Sequence, residues 1–200
     1  IDLTTLRAGR PIAVGARPDA VVIGGLGGRT ALVADLEGDT VTPVDLTTMT
    51  AGPAIAVGQE PDAIALSPDG TTALVADFGS DDVTPISLAT LRAGAPVAVG
   101  PGPTSLFTTT ATTARGTGPT VWVTTGASLV PVDLATLAAG APVPVGRLAE
   151  AATVAPDGTT AWVADQDARV TPVDLVTAAA GPSVYVGGRP EAIAIPPPRH

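Results

Sequence analysis

The chain contains no cysteine and no lysine, only five aromatic residues (Phe78, Phe107, Trp122, Trp162 and Tyr185), and one histidine, His200, at its last position. Each scarcity excludes something. Without cysteine there is neither a disulfide framework nor a thiolate metal centre, and the redox compartment is left open. Without lysine, positive charge rests on ten arginines against 19 acidic residues. The resulting net charge of −9 lacks the basic footprint that a phosphate backbone requires, so nucleic acid is not an expected partner. A lone terminal histidine excludes a His-based triad and a multi-His metal site. There is no Gly-x-Ser-x-Gly elbow and no phosphate loop. No apolar run reaches the ~18 uninterrupted residues of a membrane span, because Gly, Pro, Asp or Arg breaks every one.

What is present is a 45% apolar fraction carried by Ala, Val, Leu and Ile and punctuated by 23 Gly and 21 Pro. Small and β-branched side chains between frequent turn residues predict short strands and disfavour long helices. The fold class expected is all-β. The pattern also repeats. One segment recurs as Ile1 to Gly15, Val44 to Gly58, Ile86 to Gly100, Val132 to Gly146 and Val173 to Gly187. Its second position reads Asp2, Asp45, Ser87, Asp133 and Asp174, a spacing of about 43 residues with the longest step after Ser87.

Within one unit the residues read as four short strands: Ala63 to Leu66, a Pro68-Asp69-Gly70 turn, Ala73 to Asp77, Val83 to Leu88, and Pro96 to Val99 after an Ala-Gly turn. Four hairpin-joined strands at this spacing make a β-propeller blade, which cannot bury both faces alone and therefore stacks on its neighbours. A right-handed β-solenoid is the main rival, but its repeats are usually shorter. The division expected is a partial blade over 1–18, full blades over 19–58, 62–100, 104–146 and 150–187, and a partial blade with a Pro-rich tail over 188–200. That makes either a five-bladed ring or an open fragment of a larger propeller. Incomplete blade edges would be open to self-association. The glycine of each Ala-Gly turn is expected to supply a positive φ, and the Asp and Thr around it to bond turn backbone.

Pro61-Asp62-Ala63-Ile64-Ala65-Leu66-Ser67-Pro68-Asp69-Gly70-Thr71-Thr72-Ala73-Leu74-Val75-Ala76-Asp77, continuing into Val83-Thr84-Pro85-Ile86, resembles the YVTN-type β-propeller repeat, and the resemblance runs the length of the chain. The motif's core appears as Leu32-Val33-Ala34-Asp35, Leu74-Val75-Ala76-Asp77, Trp122-Val123-Thr124-Thr125 and Trp162-Val163-Ala164-Asp165, with Asp in place of Asn and no copy keeping the Tyr. The resemblance implies a bacterial, extracytoplasmic or surface-associated protein. It also implies that the first strand of each blade lines a central channel.

On that footing, the position four residues past each Val-Gly glycine is the leading candidate site: Asp19, Asp62, Thr104, Glu150 and Glu191. Four of these are acidic and would form an incomplete ring at one channel mouth, suited to a ligand or to a hard cation such as Ca²⁺. The plain alternative is that each caps a turn or faces solvent. Asp35, Asp77 and Asp165, replaced by Thr125 in the third repeat, are expected to make turn hydrogen bonds. Arg17 and Arg189 precede the ring and are expected in surface salt bridges. The Thr-rich stretch from Thr108 to Gly118 replaces the Pro-Asp-Gly turn as a longer loop. No cofactor is expected, and no set of reactive side chains breaks the repetition. The function expected is therefore a non-catalytic binding or scaffolding module, the alternative being a channel-centred hydrolase or lyase that uses the acidic ring and a divalent cation. Far-UV circular dichroism should show a sheet spectrum; a helical double minimum would overturn the fold class.

Overall fold

The computed structural model describes residues 4, 6–25, 27–110, 112–113, 116–190 and 192–194, and these contain strands and turns but no helix. The first sheet holds β1 (Pro18–Gly24), β2 (Thr30–Asp35), β3 (Thr40–Asp45), β4 (Thr50–Ala51) and β5 (Ile55–Ala56). The second holds β6 (Pro61–Leu66), β7 (Thr72–Asp77), β8 (Asp82–Ser87), β9 (Arg92–Ala93) and β10 (Val97–Ala98). In the third, β11 (Ser105–Thr109) carries a separate two-stranded hairpin, β12 (Thr112–Thr113) and β13 (Gly116–Thr117), before β14 (Thr120–Thr124), β15 (Ser128–Asp133), β16 (Ala138–Ala139) and β17 (Val143–Pro144). The fourth holds β18 (Ala149–Val154), β19 (Thr160–Asp165), β20 (Arg169–Asp174), β21 (Ala179–Ala180) and β22 (Val184–Tyr185). Each of the four is an antiparallel five-stranded sheet, and together they form a propeller-like repeat fold.

The innermost strands lie side by side in chain order, β1 against β6, β6 against β11, and β11 against β18. Second strands are buried on both faces, as in β7, where Ala73 to Asp77 are all buried. This is why they read as unbroken apolar runs instead of alternating. Three cores fill the spaces between successive sheets. Leu32, Val41 and Ile55 meet Ala73, Val75 and Ile86. Leu74 and Val83 meet Val121, Val123 and Val132. Trp122, Leu129 and Val143 meet Ala161, Val163 and Leu175. At ~1.5–3 kcal/mol per buried large aliphatic side chain, these contacts dominate the stability of the array. Trp122 is the only aromatic residue among the largest fully buried side chains; it stacks on Phe107 at 6.5 Å and donates its indole N–H to Thr109 Oγ1. The faces at the two ends of the array are open: Val21 and Ile23 of β1 are exposed, as are Val184, Tyr185 and Val186 at β22.

The structure revises the expected outer strand. It is split into two short pieces, β9 and β10 in the second sheet, both pairing with the third strand. The Ala-Gly glycines are not the left-handed residues. That conformation falls three residues earlier, at Met49, Leu91, Leu137 and Ala178, in a turn held by the preceding aspartate in three repeats (Asp45, Asp133, Asp174) and begun by Ser87 in the second. Asp45 Oδ1, for example, accepts the N–H groups of Thr47 and Thr48 at 2.7 and 3.2 Å. Those bonds hold the Asp45 carboxyl below the usual carboxylate range. Glycine is needed at the Ala-Gly pair for close approach instead. The N–H of Gly52 donates to Pro43 O at 2.7 Å, and a Cβ there would sit 3.3 Å from the Pro43 ring; Gly94 and Gly181 repeat this against Pro85 and Pro172. The prolines are tolerated mid-sheet because each faces the gap between the two outer pieces, where no N–H is called for.

Within the stretches expected to form partial blades, 1–18 and 188–200, residues 11–14 and 192–194 form no strand, and residues 1–3, 5, 191 and 195–200 lie outside the described residues. Part of the Thr-rich insertion is the β12–β13 hairpin.

At three of its copies the Val-Gly glycine has the tightest surroundings, whereas a Cβ at Gly100 or Gly187 would meet nothing within 4 Å. A Cβ on Gly15 would lie 2.5 Å from Asp35 Cγ, one on Gly58 would lie 2.6 Å from Asp77 Cβ and collide with Ser80 Oγ, and one on Gly146 would collide with Asp165 Oδ2. Gly58→Ala should therefore cost about 1–3 kcal/mol in urea unfolding through overpacking. Gly118→Ala, with nothing within 4 Å of the new Cβ, should stay within about 0.5 kcal/mol of wild type.

Candidate functional site

Three of the predicted ring residues share one local device. The pairing of β1 with β2 slips between Pro18 and Ala20, that of β6 with β7 between Pro61 and Ala63, and that of β18 with β19 between Ala149 and Ala151. Asp19, Asp62 and Glu150 are the extra residues of these bulges. A bulge bends the strand and re-aims the side chain it carries. The bend follows a left-handed residue in each case, Arg17, Glu60 and Leu148. In the third sheet the equivalent Thr104 precedes β11 without a slip. Its N–H donates to Thr124 O at 3.0 Å, and its hydroxyl donates to Ala149 O in the next sheet, also at 3.0 Å. Glu191 lies outside the described residues.

The carboxylates act on one another across sheets. Asp62, half-buried, has its carboxyl pushed above the ordinary value, first by burial, then by the negative charges of Asp19 and Glu150, against a smaller opposing effect of Arg17. Glu150 Oε1 accepts a hydrogen bond from the side-chain amide of Gln166. Among the described residues, no three His, Cys, Asp or Glu side chains stand close enough to hold one metal ion. Arg17 pairs with Glu37 at 3.8 Å on the surface.

Beside Glu150 lies a cavity of about 390 Å³, with Phe78 from the second sheet on one side, Leu148, Glu150 and Gln166 of the fourth on the other, and Gly102 and Gly126 of the third between them. The loops around it are tied together by backbone: Gly102 N–H donates to Asp81 Oδ1 at 2.9 Å and Gly126 N–H to Pro101 O at 2.8 Å. Asp39 holds the N–H of Glu60 in the same way at 2.9 Å. Asp81 is thus a staple between the second and third sheets.

The second acidic set is deeply buried, not placed in turns. Asp35, Asp77 and Asp165 are at most 1% exposed. Asp35 Oδ2 accepts from Thr42 Oγ1 and Asp77 Oδ2 from Thr84 Oγ1, both at 2.6 Å, while Oδ1 of each has no partner. Asp165 alone follows the expectation, accepting the loop N–H groups of Asp167 and Arg169 at 2.9 and 3.1 Å. The sequence signal was the matched residue types inside the chain: Asp35, Asp77 and Asp165 are each followed by a Thr-Pro (Thr42, Thr84, Thr171), whereas Thr125 is followed by Val130-Pro131. The match marks the bond in the first two repeats, while Thr171 Oγ1 donates to Val145 O.

No family model and no curated protein matches the chain. Among solved structures, Kuenenia stuttgartiensis hydrazine synthase aligns with a TM-score of 0.74 at 18% identity, covering 89% of this chain and 51% of that one. A functionally unknown protein from Desulfotomaculum acetoxidans DSM 771 aligns with a TM-score of 0.68 at 14% identity, covering 88% of this chain and 61% of that one. The chain spans about half the length of the first and less than two thirds of the second. At such identities the likeness is one of fold, and it is compatible with a β-propeller.

Burial pushes the Asp77 carboxyl up from 3.8 to about 7, and the neighbouring Asp82 adds to the rise against the hydrogen bond from Thr84. The folded state therefore holds a proton that the unfolded chain releases above pH 3.8. The stability this confers is complete below that pH and is lost as pH rises through about 7. Asp77→Asn should flatten the decline in urea midpoint between about pH 4 and pH 7, with a difference on the order of a few kcal/mol at the neutral end. Parallel pH profiles for variant and wild type would overturn this assignment.

Proposed function

We propose that the chain is a non-catalytic, extracytoplasmic β-propeller binding module of the YVTN type that takes a positively charged ligand at the mouth formed by its innermost strands. The observation that carries this is the placement of Asp19, Asp62 and Glu150 on matching bulges of the first, second and fourth sheets, from which the charges of Asp19 and Glu150 both push on the Asp62 carboxyl. Like charges gathered by three separate bulges are unfavourable until a cation joins them, and a bound cation relieves that repulsion. The absence of any nucleophile–base pair in the sequence favours binding over chemistry. Exposed Val21 and Ile23 at one end and Val184 to Val186 at the other support a further scaffolding role through self-association.

A fluorescent tri-lysine peptide should bind wild type with an affinity that falls as salt rises, and should bind the Asp19→Asn, Asp62→Asn, Glu150→Gln triple variant at least about tenfold more weakly. A tri-glutamate peptide should not bind. Equal binding of tri-lysine to wild type and variant, or none to either, would overturn the proposal. Calorimetry with Ca²⁺ and Mg²⁺ on the same two proteins tests the metal-dependent hydrolase or lyase alternative; heat of binding lost in the variant would favour it.

A further inference from the structure

The cavity beside Glu150 arises from a local break in the repetition. At the left-handed position before each innermost strand, three repeats carry a side chain, Arg17, Glu60 and Leu148, and the third carries Gly102. At the position after the second strand the repeats have Leu36, Phe78 and Gln166, and the third has Gly126. The connecting loop is also shortest there, running from Thr125 to Ser128 where the second repeat runs from Asp77 to Asp82. Two side chains are thus missing at neighbouring points, and the space they would fill is the cavity. The ring of Phe78 lies close over Gly102, where a Cβ would come within 3.0 Å of its Cε2.

We propose that this cavity is a binding site for a small organic ammonium with a compact apolar body. The proposal deepens the cationic-ligand reading above and rests on it. A volume of about 390 Å³ suits a small molecule and excludes a helix or folded partner. Phe78 and Leu148, both exposed, supply apolar walls. Among the described residues, Glu150 is the only ionisable side chain on the lining, and Gln166 orients it by donating its side-chain N–H to Oε1, leaving Oε2 for a ligand cation. The negative field of Asp62 reinforces Glu150. The Phe78 ring adds a π-face that attracts ammonium and not carboxylate. Thr104, whose hydroxyl is engaged by Ala149 O, adds no charge.

The test uses 2-phenylethylammonium, with 2-phenylethanol and phenylacetate as its neutral and anionic counterparts, titrated by ligand-observed NMR and calorimetry. The ammonium should bind at least about tenfold more tightly than the alcohol, and phenylacetate more weakly than either. Gly126→Leu places a side chain in the cavity at a position whose φ is not left-handed and whose new Cβ would meet Pro101 O at 3.3 Å. It should abolish ammonium binding while leaving tri-lysine binding near wild type, and its melting temperature checks that the fold is kept. Glu150→Gln should bring the ammonium down to the affinity of the alcohol. Equal affinity for all three probes, no binding of the ammonium, or undiminished ammonium binding by Gly126→Leu would each overturn the cavity site. If tri-lysine still binds wild type and not the triple variant in those cases, the cavity assignment alone has failed; if tri-lysine also fails to bind, the cationic-ligand reading falls with it.

Discussion

A second strand buried on both faces needs a sheet on either side of it, and this requirement governs the whole molecule. Ala73, Val75 and Leu74, Ala76 face opposite ways along β7, yet all are buried, because the first sheet covers one set and the third covers the other. No sheet is stable alone. Small Ala and Val side chains let successive sheets approach closely, which explains how a chain with five aromatic residues still forms continuous cores. It also sets the tolerances: where the segment entering a sheet crosses the buried end of that sheet's second strand, at Gly15, Gly58 and Gly146, there is no room for a methyl group.

Much of this architecture was legible in the sequence because repetition amplifies weak signals. Pro68-Asp69-Gly70 marks a hairpin on its own, but its echo at Pro156-Asp157-Gly158 and the recurring Val-Gly fix the phase of every sheet. What repetition could not reveal was the reason each residue recurs. The Ala-Gly glycine suggested a left-handed turn, whereas the structure uses it to admit a proline ring from the third strand, a contact about nine residues distant that local turn chemistry does not encode. The terminal Asp of the second strand suggested a cap, whereas burial against the Val-Gly glycine and a Thr of the third strand makes it part of the core in the first two repeats.

The candidate ring was legible as a position and not as a geometry. Counting from the Val-Gly glycine found Asp19, Asp62 and Glu150, but the bulges that aim them depend on the pairing of two strands and appear only when both are in place. The cavity was harder still to foresee. It consists of side chains that are absent, Gly102 and Gly126, and it depends on neighbours in three different sheets. Departures from a repeat carry more functional information than the repeat does, since the shared residues are already committed to holding sheets together.

The divided outer strand has a bearing on how the protein survives at high concentration. A foreign β-strand extends a sheet by zipping along a continuous row of free backbone groups. Here each outer row is two residues long, stops at the Gly–Pro contact, and resumes for two more. Every rim position is therefore a poor template, and four sheets can present their edges to solvent without recruiting one another into fibrils.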